Sequence, residues 1–148
     1  MKDSEFKRLN HMVGDNRIGS RGTAVCQGYK PDVTVVDANN RLKFILESEQ
    51  KTDRKAFLGN VIKAEKYAEE CNASPMLIIV MQPQQNTTVE QIAEHLQPYA
   101  VWLRQRLNEE VRLSGIFVIS DSEYLSSAQA QELLGSNAFV RRGRLVAV

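Results

Sequence analysis

The chain has 148 residues, 43 % apolar and 25 % charged, with 19 Lys and Arg against 18 Asp and Glu, for a net charge of +1. That length closes one hydrophobic core without staples. The balance excludes a polybasic chain and a disordered one, and argues against a dedicated nucleic-acid coat protein. The opening MKDSEFKRLN lacks the apolar region of a secretory signal. The longest apolar run, Met76 to Met81, falls well short of the roughly 20 residues that a membrane span needs. A soluble, cytoplasmic protein with no membrane contact is therefore expected. Cys26 and Cys71 form no CxxC pair, which excludes a structural zinc site and leaves two free thiols of a reducing compartment.

Phe6, Leu9 and Val13 recur near helical spacing, so Ser4 to Val13 is expected as a helix capped by Asp3 or Ser4. Gly14 to Gly22 reads as a loop by its glycines. Thr23–Gln27, Asp32–Val36 and Leu42–Leu46 read as three neighbouring antiparallel strands, the last running on into Glu47–Lys51. A turn at residues 38–41 joins the second to the third. Asp53 is placed to cap a helix over 54–71, with Phe57, Val61, Ala64 and Ala68 along one face. Pro75–Met81 is continuously apolar and suits a strand covered on both faces. Thr87 with Glu90, or Thr88 with Gln91, opens a long helix that Pro98 should bend. Gly115–Ile119 is another buried strand. A short helix near Ser127–Leu134 and a strand-like piece from Arg144 to Val148 close the chain. The order predicts a single α/β domain over 1–148, a sandwich with helices flanking a mixed central sheet.

The informative stretch is Pro31 to Lys51. At strand periodicity Glu47, Glu49 and Lys51 share one face. A hairpin centred near residue 40 brings Asp32 opposite Glu47 or Glu49. Two readings stand: a solvated acidic hairpin end, or a site where Asp32, Glu47 and Glu49 converge. Hard oxygen ligands of that kind suit Mg²⁺ or Mn²⁺, which lowers the pKa of bound water and offsets charge on a phosphoryl oxygen. Lys51 would then hold water or stabilise the transition state.

Pro31-Asp32, a strand, a turn, an apolar strand and then acid-x-acid-x-Lys resemble the PD-(D/E)xK nuclease superfamily, the group of many restriction enzymes, junction resolvases and repair nucleases. The resemblance covers about half the chain and rests on a short, degenerate motif. It implies a restriction-endonuclease-like fold whose core is helix, three antiparallel strands, helix, strand. It also implies Mg²⁺- or Mn²⁺-dependent hydrolysis of DNA, inversion at phosphorus, and dimers for cutting both strands. Asp32 matches the first acid. Glu49-Gln50-Lys51 fits the acid-x-Lys wording; Glu47-Ser48-Glu49 fits the strand spacing better and puts Glu49 where the lysine stands. Glu5 is the candidate for an acid on the first helix. Asp32, Glu47 and Glu49 are thus the expected metal ligands, with Glu49 or Lys51 in the lysine role.

Charge along the chain is uneven. Residues 1–30 hold six Lys and Arg against three acids, and residues 31–51 hold three against four. An acidic centre beside a basic arm suits a metal-dependent nuclease, whose arm neutralises backbone phosphates. Arg17, Arg21, Lys30 and Lys55 are the candidate nucleic-acid contacts; ordinary solvated residues are the competing reading. The lysines of the helix over 54–71 are read mainly as a solvated face that Glu65, Glu69 and Glu70 dilute. Arg141-Arg142-Gly143-Arg144 either grips phosphate or caps the last strand. Tyr99 and Trp102 suit core or dimer contacts, and His95 a structural role. Asp121 and Glu123 form a weaker acidic pair, read as helix-capping. Two alternatives to a nuclease remain: a catalytically silent domain of the same fold that binds DNA or a protein partner, and a small α/β protein with no nucleic-acid role. With one domain, target specificity would come from loops, a homodimer or another protein.

Overall fold

The computed structural model describes residues 1–51, 53–108 and 110–146. Six strands form one mixed sheet in chain order: β1 (Arg17–Ser20), β2 (Val33–Val36), β3 (Leu42–Glu49), β4 (Met76–Met81), β5 (Gly115–Ser120) and β6 (Arg144–Val146). The first three are antiparallel neighbours, β3, β4 and β5 run parallel, and β6 returns antiparallel. Helix α1 (Asp3–Arg8) precedes β1, α2 (Arg54–Cys71) joins β3 to β4, and α3 (Val89–Arg106) joins β4 to β5. The last two helices, α4 (Asp121–Gln129) and α5 (Asn137–Val140), lie between β5 and β6.

The continuous apolar runs explain the centre. Leu77, Ile79 and Met81 of β4 join Ile116 and Val118 of β5 in a core beneath α2 and α3. Ile78, Val80, Phe117 and Ile119 point the other way, into a second core closed by Phe6, Tyr124 and Phe139. β3 pairs with β4 from Phe44 to Glu49, which carries the ladder out to the acids at the strand's end.

Local signals set the connections. The β2–β3 turn closes on Asp37, whose Oδ1 accepts from the N–H groups of Asn39 (2.8 Å) and Arg41 (3.0 Å), while Asn40 takes φ +62°. Asp53 caps α2 by accepting from Lys55 N, and Asn72 ends it in the left-handed conformation. Of the two possible capping boxes before α3, Thr88 with Gln91 forms. Pro98 lies inside the continuous α3.

Several boundaries differ from the sequence expectation. The first strand is Arg17–Ser20, inside the stretch read as a loop. Thr23–Gln27 contributes only the isolated bridge Cys26↔Tyr29. Gly19 misleads because it sits within a strand: the ladder shifts between Ile18 and Ser20, and a Cβ on Gly19 would lie 2.9 Å from Thr34 Oγ1. Helix α1 ends at Arg8 rather than Val13, with Arg21 donating to the Lys7 and Leu9 carbonyls at its end. Helix α4 starts at Asp121, where Ser120 Oγ accepts from Glu123 N, not near Ser127. Asp121 and Glu123 thus occupy a first helical turn. The last strand is seen over Arg144–Val146; residues 147 and 148 lie outside the described residues. Among the described residues no helix is long and apolar enough to cross a membrane.

Candidate functional site

Antiparallel pairing of Val33 with Leu46 carries one step further to Asp32 beside Glu47. The juxtaposition is direct: Asp32 Oδ2 accepts from Ser48 N at 2.7 Å. Both carboxyls are buried, Asp32 at 9 % and Glu47 at 8 % exposure. Glu49 follows two residues on, half-buried, at the strand end beside Met81 of β4. Glu47 and Glu49 share the face of Ile45, the side covered by α2. The first acid and the two of the Glu47-x-Glu49 spacing thus meet at one end of the β2–β3 hairpin.

Buried acids this close raise one another's proton affinity. Burial pushes the Glu47 carboxyl up to about 8; the Tyr29 hydroxyl works against that, and Asp32 and Glu49 add to it. Burial also raises Asp32, opposed by its bond from Ser48 N and reinforced by Asp3 and Glu49. Glu49 is raised by burial and by Asp3, and lowered by Lys51 N, the Lys51 charge and the Asn60 amide. The cationic support is thin. Lys7 Nζ stands 3.8 Å from Asp32 Oδ1, with its side chain 36 % exposed.

Tyr29 organises the other side. Its hydroxyl donates to Glu47 Oε1 at 2.8 Å, and its ring meets Tyr67 of α2 edge-on, with centroids 6.0 Å apart. Burial and the Glu47 carboxyl keep the phenol protonated well above its ordinary range, so it remains the donor. Beside it opens a cleft of about 410 Å³ between the residue 24–30 loop and α2, lined by Lys30, Glu47, Asn60 and Lys63 among others. Asn60 Nδ2 is buried there without a full hydrogen bond, although the amide lies near enough to Glu49 to favour its ionised form.

Lys51 lies beyond β3 and is exposed; its backbone N–H donates to Glu49 Oε1 at 3.2 Å. Glu5 is also exposed, and its side chain accepts from Lys2 N at the start of α1. The α1 acid that acts on Asp32 and Glu49 is instead Asp3, one turn before Lys7. Arg17 is exposed on β1. Arg21 is engaged by the α1 carbonyls, and Lys55 is exposed in the first turn of α2. Lys30 alone among the four candidate phosphate contacts lines the cleft beside Glu47.

Sequence reasoning missed Tyr29, Asp3, Lys7 and Asn60. The i, i+4 spacing of Asp3 and Lys7 on a helix was a usable signal; Tyr29 and Asn60 had none. Elsewhere, Glu65 is not part of a solvated face. It is buried, and its carboxylate accepts from Arg112 N (2.8 Å) and Leu113 N (3.0 Å). Arg142 is held by Glu132 and Glu123. Tyr99 and Trp102 are exposed on α3, not core residues, and His95 packs edge-on to Tyr99. Cys26 is half-buried and Cys71 exposed, both free.

Carboxylate oxygens are the donors that a hard cation would take. Among the described residues no group of three or more His, Cys, Asp or Glu side chains stands where it could hold a metal ion. Asp32 and Glu47 are two adjacent carboxylates, and Mg²⁺ takes one or two carboxylates, completing its shell with water and substrate phosphate oxygens. Two oxygen donors fit that ion and would be too few for a structural zinc. Compared with family models, curated proteins and solved structures, the chain matches none of them.

Proposed function

We propose that this protein is a Mg²⁺- or Mn²⁺-dependent nuclease of the PD-(D/E)xK type, hydrolysing phosphodiester bonds in DNA at Asp32, Glu47 and Glu49. One observation carries the reading: two buried carboxyls lie side by side across β2 and β3 with a third acid one strand step away. The element order adds support, since helix, three antiparallel strands, helix and strand stand in the same succession as in that superfamily.

Asp32 and Glu47 would hold the cation, with Glu49 beside them. When bound, the cation polarises a phosphoryl oxygen and acidifies water. The chain's own groups do the rest. Ser48 N fixes Asp32 Oδ2 and the Tyr29 hydroxyl fixes Glu47 Oε1, so each carboxylate keeps an oxygen for the ion. Glu49 has a raised proton affinity and is suited to take the proton of the attacking water. Lys7, 3.8 Å from Asp32 Oδ1, and Lys30, which lines the cleft beside Glu47, would steady phosphate oxygens.

The test is cleavage of plasmid, duplex, single-stranded, branched and RNA substrates with Mg²⁺ or Mn²⁺, against an EDTA control. Asp32→Ala and Glu47→Ala should each abolish metal-dependent cleavage. Nicking that survives both substitutions would overturn the assignment. The second reading, a silent domain of this fold that binds DNA or a protein partner, draws on the exposed position of Lys51 beyond the strand. It would be favoured by binding without cleavage on every substrate.

A further inference from the structure

The cleft beside Glu47 is not needed to hold the cation, yet its lining is particular. One wall is the loop that turns at Gly28 and is pinned by the Cys26↔Tyr29 bridge; it contributes Lys30. The other wall is α2, which contributes Asn60 and Lys63, one turn apart on the same face. Neither lysine has an ion-pair partner among the described residues, whereas nearby Lys66 is engaged by Glu70. At the floor lie Glu47 and the buried Tyr29. Two unpaired ammonium groups over a rigid aromatic floor, with an amide N–H₂ left short of a full bond, form a cradle for an anion carrying several acceptor oxygens. The opening is large enough for a phosphate with its sugar.

We propose that this cleft is a phosphate subsite, in which Lys30 and Lys63 clamp a nucleic-acid backbone phosphate adjoining the one hydrolysed at Glu47. The inference rests on the nuclease reading for its choice of ligand. The lysines act here as positioning residues.

The test is fluorescence anisotropy with single-stranded and duplex DNA oligonucleotides in Ca²⁺, across a salt series, for wild type, the double variant Lys30→Gln/Lys63→Gln, and Lys43→Gln as control. Lys43 is exposed at the opposite end of β3. Each lost lysine–phosphate contact lowers the slope of log affinity against log salt by about 1. The double variant should therefore lose between about 1 and 2 in slope, and the control nothing. Both lysines are exposed, so the melting temperature should not move. An unchanged slope in the double variant, an equal drop in Lys43→Gln, or no oligonucleotide binding by wild type would each overturn the subsite. The two proposals separate in the cleavage assay: unchanged slope with cleavage intact sinks the subsite alone, while a lowered slope in a protein that never cleaves sinks the catalytic reading alone.

Discussion

Glu47→Gln should stabilise the metal-free protein, and the gain should grow with pH. In the folded chain burial and its acidic neighbours push the Glu47 carboxyl up to about 8, whereas an unfolded glutamate titrates near 4.3. Between those values the folded state binds the proton more tightly than the unfolded one. Glu47 therefore contributes stability that is complete below pH 4 and is lost as pH rises through 8. Each pH unit within that window costs about 1.4 kcal/mol. The loss amounts to roughly 4 kcal/mol by pH 7, and a further loss of about 1 kcal/mol follows between pH 7 and pH 9. A neutral amide of nearly the same shape removes the titration, keeps an oxygen for the Tyr29 hydroxyl, and leaves the titrating groups remote from Glu47 common to both proteins. Urea unfolding of wild type and variant in EDTA, from pH 6 to 9, reads the difference directly. The two stability curves should diverge by about 1 kcal/mol from pH 7 to 9. Parallel curves would refute the reasoning, because they would mean that Glu47 is already ionised at neutral pH. Added Mg²⁺ should raise the wild-type midpoint, more strongly at pH 8.5 than at pH 6.5, and leave the variant nearly unmoved.

His11 should oppose this trend at low pH. Its Nε2 faces the Phe6 carbonyl at 2.9 Å and must donate, so Nδ1 accepts from the Tyr124 hydroxyl at 2.6 Å. Burial lowers its pKa to about 4, so the unfolded chain protonates first and stability falls as pH drops from 6.5 toward 4. Wild type should lose about 2 kcal/mol relative to His11→Gln between pH 7 and 5, measured by denaturant titration. Glu65→Ala should cost about 3 kcal/mol in urea unfolding, since it strands the buried N–H of Leu113 and the N–H of Arg112. Gly143→Ala should cost at least about 2 kcal/mol in thermal unfolding, because a Cβ would lie 2.3 Å from the Val118 carbonyl oxygen and 2.6 Å from Phe117 Cζ.

What could be read from the sequence was what local chemistry decides. Asp53 capping α2, the Thr88–Gln91 box and the two-sided apolar strands β4 and β5 each carry their cause within a few residues. So does the hairpin that brings Asp32 to Glu47, because its register follows from the apolar residues on either side of the turn. Gly19 was misread because composition cannot distinguish a glycine that breaks a strand from one that lets Thr34 approach. Glu65 was misread because helical spacing reports a polar face but not what packs on it; its partners are backbone N–H groups 47 and 48 residues away. Tyr29 and His11 belong to the same class. Each is defined by a hydrogen bond across the fold, and no periodicity announces it.

The uneven cost of the hairpin is the strongest physical reason to look for a ligand there. One step inward, the same pair of strands places Val33 against Leu46, the pairing that stability alone would choose. One step outward it places Asp32 beside Glu47, two acids in nearly full burial, with Asp3 and Glu49 adding charge of the same sign and a half-exposed Lys7 as the nearest cation. Buried acids are expensive unless a cation or hydrogen bonds offset them, and here the hydrogen bonds from Ser48 N and Tyr29 do so only in part. The acids are also held in place, because β3 pairs with the apolar β4 from Phe44 to Glu49. A divalent cation would remove the repulsion and displace the Glu47 proton in one step. The overall charge of +1 hides this arrangement. It averages a buried carboxylate pair with two lysines, Lys30 and Lys63, that line the cleft beside it.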